Sequence, residues 1–447
     1  MSSAQRLQAQ AIAALRAGKL ADAERCYRDL LSIYPHPGVL HNLGLVLVRL
    51  RRETEAVPLF RRSLDMRWDS NVALALSNAL IQSDRAPEAL ACCEDVLSAD
   101  PSNRDAGHNK AVALRELNRH DEAAAMLEAL LRDDPSDADA EFNLSLAELM
   151  LERYETAWHH YEARWRGADA RKPLPDSEIP LWKHGEPLAR RAVLVQAEQG
   201  LGDTLQFLSL VPRLDTLCAR VDLQLQPELL EVFRRCWPER RIEAIGAPPD
   251  AAIETRIALM SAPLALGIRR LDPIRAYLHA DPARIETWRG RLSARTGARV
   301  ALAWRGNPKQ RHDPRRSIPL VALQPWIEAV ARSDVAVVAL QRDASPDERA
   351  WLARFSHVKV PGEALSDFDD TAAVMALCDR VVSVDTALIH LAGVLGRPAI
   401  ALLKFSSDWR WGIDRPDGAT YETVRTLRQP AAGDWDGVIR ALVDALP

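Results

Sequence analysis

The stretch LADAERCYRDLLSIYP, residues 20–35, carries a pattern that returns through the first third of the chain. A small residue, Ala23, is followed four residues later by the large side chain of Tyr27, and Pro35 closes the unit. The small position recurs, with spacings of 33, 33, 34 and 34 residues, at Ala23, Ala56, Ala89, Ala123 and Ala157. The larger side chains are those of Tyr27, Phe60, Cys93, Leu127 and Tyr161, and later units close at Pro101 and Pro135. A period that holds over four intervals indicates a repeat architecture.

A period of about 34 residues is typical of tetratricopeptide repeats (TPR), which are pairs of antiparallel helices. The small residue lets two helices approach closely and the larger residue fills the groove between them. Proline then prevents the second helix from continuing into the next unit. The sequence therefore predicts that residues 1–166 form an α-helical TPR solenoid.

TPR arrays usually bind peptides or proteins, so we expect a protein or peptide acceptor on the concave face. The repeat fold by itself specifies no ligand. Two other roles stay open: the array could only buttress the rest of the chain, or it could make the protein a homo-oligomer.

The composition excludes several classes of protein. The 447 residues carry a formal net charge of -4, which does not favour binding to nucleic acid. The polar start MSSAQRLQAQ predicts no signal peptide, and no apolar run approaches the roughly 18 residues of a membrane span. The six cysteines are scattered without metal-ligand spacing, which fits reduced thiols in a cytoplasmic protein.

The pattern changes after residue 166. Four prolines within fifteen residues, from Pro173 to Pro187, predict an extended connector over 167–190. Beyond it, short apolar runs alternate with helical patterns in two series, which predicts two doubly wound α/β halves, 191–285 and 286–447, facing a cleft. The predicted strands are AVLVQA (192–197), VDLQLQ (221–226), RIEAI (241–245), RIALM (256–260), RVALAW (299–304), VAVVAL (335–340), HVKV (357–360), RVVSV (380–384), AIALL (399–403) and TVRTL (423–427).

In such sheets ligands bind beyond the carboxyl ends of the strands, so the turns there are candidate sites. The first is Gly200-Leu201-Gly202-Asp203. Its glycines permit a tight turn and a close approach of the backbone to a ligand. Asp203 occupies the expected helix N-cap, so it either caps the helix or faces the cleft as a general base.

The second turn is the basic loop WRGNPKQRHDPRRSIPL, residues 304–320. Its five cations are Arg305, Lys309, Arg311, Arg315 and Arg316, and with one anion, Asp313, they leave a local charge of +4. Such a loop at a strand end suits a diphosphate, because guanidinium groups pair bidentately with phosphate oxygens. A solvated run of charges is the alternative.

The third turn lies in VVSVDTALIHLAG, residues 381–393, where a strand ends and a helix begins at once. The free N–H groups of a helix start suit a phosphate or a sugar hydroxyl. Asp385 would repel a phosphate, so we expect it to accept hydroxyl donors while Thr386 and the backbone donate. His390 lies one turn after Thr386 on the same face, and it is either a site residue or a core histidine.

Five segments together resemble bacterial TPR-fused glycosyltransferases: AEQGLGDTLQFLSLVPRL, ALAWRGNP, RSIPL, DFDDTAAVMALCDRVVSVDTALIHLAGVLGRPAIALL and DWRWGIDR. The second part is similar to the ADP-heptose:lipopolysaccharide heptosyltransferases, which are glycosyltransferase family 9-like enzymes of GT-B fold. The layout is similar to O-GlcNAc transferase and to TPR-containing flagellin glycosyltransferases.

The resemblance implies a role for each matching residue. Asp203 would be the catalytic base. The donor-binding residues would be Gly200, Gly202, Arg305, Asn307, Lys309, Arg311, Asp385, Thr386 and His390. Two departures concern the pocket: Gln341-Arg342 stands where relatives often have Gln-Lys, and RPDGATYETVRTLRQ lacks an expected Ser-Pro-Trp-Tyr-Pro run.

The leading hypothesis is an inverting glycosyltransferase that uses a nucleotide-sugar donor. No DxD sequence stands directly after a predicted strand as a signature for a metal-held diphosphate, so we expect no metal and no other cofactor. The alternative is a non-catalytic TPR scaffold whose GT-B half only senses nucleotide or binds partners.

Overall fold

The computed structural model describes residues 2–167, 174–175, 177–292, 297–307, 313–413 and 420–445. The chain divides into two compact units, Met1–Ala147 and Glu148–Pro447. The second unit begins before the end of the predicted helical region, and the predicted boundaries at residues 166, 190 and 285 stay predictions.

The first part is helical, as the repeat predicts. Its helices are α1 (Ser3–Arg16), α2 (Leu20–Ile33), α3 (Pro37–Arg49), α4 (Glu53–Met66), α5 (Ser70–Gln82), α6 (Ala86–Ala99), α7 (Arg104–Glu116), α8 (His120–Asp133), α9 (Ala138–Met150) and α10 (Tyr154–Tyr161). The five repeated alanines, from Ala23 to Ala157, are fully buried. The small position therefore sits where helices meet, and the TPR-type solenoid is confirmed.

The described residues of the second part form ten strands. The first six labelled elements are β1 (Ala192–Gln196), α11 (Leu201–Phe207), α12 (Val211–Leu217), β2 (Arg220–Leu225), α13 (Leu230–Cys236) and β3 (Ile242–Ala244). They are followed by β4 (Thr255–Ala258), α14 (Ala262–Ala265) and α15 (Pro282–Arg291). The order of strands in this sheet is β3-β2-β1-β4, and all of its pairs are parallel.

The second sheet follows. Its elements are β5 (Arg299–Ala303), α16 (Asp313–Arg316), α17 (Gln324–Arg332), β6 (Ala336–Ala339), α18 (Pro346–Leu352), β7 (Val358–Lys359), α19 (Phe368–Ala376), β8 (Arg380–Val384), α20 (Ala387–Val394), β9 (Ala399–Leu403), β10 (Val424–Arg428) and α21 (Trp435–Asp444). The order of strands is β10-β9-β8-β5-β6-β7, again all parallel. All ten strands fall on predicted runs, and the α/β architecture is consistent with GT-B.

The parallel sheets set the position of the site. The core strands β1 and β8 are buried almost throughout, as expected for strands covered on both faces. The turn after β1 and the turn after β8 both lie at carboxyl ends, and the helices that follow them, α11 and α20, pack against each other. No helix in the described part of the chain is both long and apolar enough to cross a membrane.

Replacing Gly44 should test the tight packing of the repeats. A Cβ at Gly44 in α3 would lie 2.4 Å from the ring of Phe60, which is fully buried and cannot move aside. We expect Gly44→Ala to lower the free energy of unfolding by about 1–3 kcal/mol. Urea unfolding followed by circular dichroism measures it.

The matched control is Gly107→Ala in α7. Its added Cβ would lie 3.1 Å from a methyl group of Leu130, a flexible side-chain end, and alanine is also the better helix former. We expect a change of less than about 1 kcal/mol. Equal losses in both variants would contradict the close approach of α3 to Phe60.

Candidate functional site

The turn after β1 places Asp203 inside helix α11 rather than at its cap. Gly200 is the N-cap, and Oδ2 of Asp203 accepts a hydrogen bond of 2.8 Å from the Gly200 N–H. The predicted N-cap position for Asp203 is therefore wrong by three residues. The carboxylate still satisfies a backbone donor at the helix start, because an acidic side chain in the first turn can reach back to the cap.

Gly202 is needed for a close approach between the two halves of the site. A Cβ at this position would lie 2.7 Å from Cδ2 of His390. Only glycine leaves room for the imidazole ring, so α11 and α20 can touch here. The structure thus brings the Gly-rich turn and the segment from Asp385 to His390 together.

Arg410 reaches Asp203 from the second half. Its Nη2 lies 2.5 Å from Oδ1 of Asp203, while Nε donates to Gln206 at 2.6 Å and Nη1 to Asp408 at 2.7 Å. The guanidinium also lies 4.6 Å from the ring centroid of Trp409. Burial acts to lower the pKa of Arg410, but the carboxylates of Asp408 and Asp203 raise it far above its usual value. Arg410 is therefore a fixed positive charge beside Asp203.

His390 is buried and forms part of a polar cluster. Its Nδ1 lies 2.7 Å from the hydroxyl of Tyr421, and its Nε2 lies 3.7 Å from Oδ1 of Asp385. Burial acts to raise the pKa of Asp385, but the hydrogen bond and charge of His390 and the charge of Arg316 lower it. The structure thus shows His390 as a buried histidine with polar partners, and its role in donor binding stays a prediction.

Thr386 caps helix α20. Its hydroxyl accepts from the N–H of Leu388 at 3.3 Å, and it lies 3.3 Å from the hydroxyl of Ser383. The helix start at Ala387 is therefore held by a side-chain cap, next to Asp385.

The basic loop is only partly described. Lys309 and Arg311 lie outside the described residues, and Asn307 is exposed. Arg305 donates to Asp343 at 2.8 Å and to Glu348 at 3.3 Å, so carboxylates already occupy its guanidinium. Within the described part of this loop, Arg316 acts on Asp385 through its charge.

A second carboxylate, Glu198, lies two residues before Gly200 and was not singled out from the sequence. Its side chain is 1% exposed and pairs with Arg164 at 3.2 Å. The N–H of Met260 also donates to it at 3.2 Å. Burial raises the pKa of Glu198 to about 7, although Arg164 and the Met260 N–H act to lower it. Glu198 anchors the strand end from which the turn departs.

Sequence reasoning missed three residues of this site: Arg410, Tyr421 and Glu198. Arg410 lies in DWRW, and Tyr421 lies in the following stretch, which differs from that of the relatives. Neither residue had a predicted role. Their partners are distant in the chain, 207 residues for Arg410 and Asp203, so no spacing could reveal them. Within the described residues no group of three or more His, Cys, Asp or Glu is placed to hold a metal ion.

Glu198 predicts a pH dependence of stability. The carboxyl titrates near 4.5 when unfolded and near 7 when folded, so between these values the native state binds more protons. Its contribution to stability is therefore full below about pH 4.5 and is lost as the pH rises through about 7. We expect Glu198→Gln to gain about 3 kcal/mol relative to wild type between pH 5 and pH 8. Urea unfolding at several pH values measures the difference, and a difference independent of pH would contradict the assignment.

Comparison with protein families matches both parts of the chain. Tetratricopeptide repeat models match residues 9–71 and 80–149. The model of glycosyltransferase family 9 (heptosyltransferase) matches residues 347–432, a stretch that includes Asp385, His390 and Arg410.

Among known proteins, the chain is 27% identical over 440 residues to Protein FlbA of Caulobacter vibrioides, covering 91% of this chain and 72% of that protein. Among solved structures, MamA from Desulfovibrio magneticus is 19% identical with a TM-score of 0.34, covering 36% of this chain and 93% of that one. YrrB, described as a TPR protein with an unusual peptide-binding site, is 20% identical with a TM-score of 0.31, covering 35% and 81%. The chain carries tetratricopeptide repeats followed by an α/β region that contains a match to glycosyltransferase family 9, as expected for a TPR-fused glycosyltransferase.

Proposed function

We propose that this protein is an inverting, metal-independent glycosyltransferase that moves a sugar from a nucleotide-sugar to a protein or peptide. The observation that carries the proposal is the setting of Asp203. Gly200 binds one of its oxygens and Arg410 the other, and its side chain is still 24% exposed. Each carboxylate oxygen can accept two hydrogen bonds, so the side chain of Asp203 can still accept one from the hydroxyl group that receives the sugar.

In the proposed reaction Asp203 accepts the proton of the acceptor hydroxyl. The hydroxyl oxygen forms a bond to the anomeric carbon of the donor sugar from the face opposite the leaving group. The bond between that carbon and the phosphate oxygen breaks, and the nucleotide diphosphate leaves with its electron pair. A single displacement of this kind inverts the configuration at the anomeric carbon. Arg410 and the Gly200 N–H hold the base in place, which supports proton transfer by positioning.

The leaving diphosphate would bind at the start of α20. The helix start offers free N–H groups and a partial positive charge, and Arg316 adds a full charge near Asp385. Asp385 would accept hydroxyl groups of the donor rather than phosphate oxygens. Asn307, Lys309 and Arg311 keep their proposed donor-binding roles, whereas Arg305 would first have to leave Asp343 and Glu348.

The TPR part would bind the protein acceptor, since such repeats commonly bind polypeptides. All six cysteines are free, which supports action in a reducing compartment such as the cytoplasm.

Nucleotide binding tests the donor site. We expect one of UDP, ADP, GDP or CMP to raise the melting temperature, with a gain of about 2.7 kcal/mol at 100 times its Kd. EDTA should leave this gain unchanged, because cations of the chain neutralise the diphosphate. Arg316→Ala should weaken binding about tenfold or more through loss of a charge-assisted contact.

The exposed Arg332 provides the control, since Arg332→Ala removes a cation outside the site. Arg305→Ala shows whether that guanidinium exchanges its carboxylates for phosphate. Loss of binding in EDTA would contradict metal independence, and unchanged binding in Arg316→Ala would contradict the proposed place of the diphosphate.

Replacing Asp203 tests the base. Asn keeps the shape of the side chain but cannot take up the proton, so Asp203→Asn should lower single-turnover transfer by about 10²- to 10⁴-fold with nearly unchanged donor affinity. Its one acceptor oxygen cannot serve both Gly200 and Arg410, so we also expect a loss of about 1–3 kcal/mol of stability.

The matched control is Asp215→Asn, which changes a carboxylate paired with Arg240 at 2.7 Å on helix α12. This variant should retain wild-type transfer. If Asp203→Asn transfers sugar at the wild-type rate, another residue is the base. A chain that binds nucleotide but never transfers a sugar would instead be a non-catalytic scaffold.

A further inference from the structure

A cavity of about 340 Å³ lies in the second unit, and Arg410, the partner of Asp203, is one of the residues that line it. Its walls come from residues 149–154, from the α11–α12 region, from residues 268–277 and from the segment Trp409–Gly412. The volume falls in the range of cavities that hold small ligands or single side chains. None of the roles assigned above uses this cavity.

Apolar side chains form much of the walls, beside polar ones such as Gln206 and Ser209. The apolar ones include Phe207, Leu210, Ile268, Leu271, Ile274 and Trp409. Sugars and nucleotide phosphates present hydroxyl groups and charge, which would lose their hydration against such walls. An aliphatic or aromatic side chain would instead gain free energy on entering. The apolar part of the cavity therefore favours an apolar group.

The cavity is linked to the candidate base through Arg410. Gln206 and Arg410 both line it, and Arg410 holds Oδ1 of Asp203. A group seated in the cavity is therefore separated from Asp203 by a single side chain. An acceptor anchored here would present a neighbouring residue toward the base.

The rim is positively charged. Four arginines line the cavity, against the two acidic residues Glu152 and Asp272. Arg270 pairs with Asp272 at 2.9 Å and Arg275 with Glu422 at 3.0 Å, but both pairs are solvent-exposed and weak. Arg213 is exposed and forms no ion pair with any described residue. The rim can therefore attract a carboxylate.

We propose that this cavity is the acceptor subsite of the enzyme. It takes an apolar side chain of a polypeptide acceptor, and Arg213 attracts an acidic residue beside it. The inference rests on the proposed glycosyltransferase function and adds the acceptor's sequence preference. A polypeptide supplies an apolar group, a carboxylate and a hydroxyl within a few residues of one another, which matches the cavity, the rim and the base.

The test uses the full chain and four pools of fluorescein-labelled decapeptides with one serine. In each pool the three positions on either side of the serine hold only two residue types. These are Leu and Asp, Leu and Lys, Gly and Asp, or Gly and Lys. Binding is measured by fluorescence anisotropy, and transfer is measured separately as mass added to the peptide. We expect Leu over Gly by about tenfold and Asp over Lys by about fivefold.

Two variants separate the two preferences. Leu271→Asp should remove the preference for Leu, because it places a charge in the apolar wall. Arg213→Glu should reverse the preference for Asp while leaving that for Leu. The controls are Leu217→Asp, at a 36% exposed leucine on α12 outside the cavity, and Arg332→Glu. Both should behave as wild type.

The results distinguish the proposed acceptor subsite from the proposed glycosyltransferase activity. The proposed subsite is wrong if the wild-type protein lacks these preferences or if the variants leave them unchanged. This holds whether or not transfer occurs. Preferences that respond to the variants without any transfer would support the subsite and count against the enzyme. Dodecyl phosphate is tested as an alternative occupant of the cavity. If it binds there and no peptide does, the occupant is an alkyl phosphate and the peptide subsite is wrong.

Discussion

The contact between Arg410 and Asp203 is the interaction on which the site depends. A buried guanidinium is costly unless its donors are satisfied, and here Asp203, Gln206 and Asp408 satisfy them from two different halves of the α/β region. The charge therefore joins the turn after β1 to the segment after β9. Removal of Asp203 would leave the buried Arg410 charge with one acceptor fewer, so this pair sets both the place of the Asp203 carboxylate and the fit of the two halves.

Aromatic rings surround that charge and keep water from it. Trp158 of α10 meets Phe207 and Trp409 edge to face, with centroids 6.1 and 5.7 Å away. Phe207 and Trp409 in turn lie beside the Arg410 guanidinium. Helix α10, which carries the last copy of the repeat pattern, thus packs into the α/β unit. The final repeat is part of the wall of the site as well as the end of a periodic pattern.

The two carboxylates near the turn differ because their surroundings differ. Glu198 is enclosed, so burial raises its pKa to about 7 in spite of Arg164. Asp203 lies at a helix start, accepts a backbone N–H and remains partly accessible. Asp203 is therefore the carboxylate that solvent can reach, whereas Glu198 serves to hold the end of β1.

Much of this protein follows from its sequence alone. The repeat period, the ten strands and the glycine turn are local patterns, because helix and strand periodicity and backbone freedom depend on neighbouring residues. The joining of Gly202 to His390, the pairing of Arg410 with Asp203 and the engagement of Arg305 by Asp343 and Glu348 were decided only by the tertiary structure. These contacts join residues 38 to 207 positions apart, so no local pattern of the chain specifies them. A charge pattern shows which side chains are available, but the fold decides which opposite charge each of them meets.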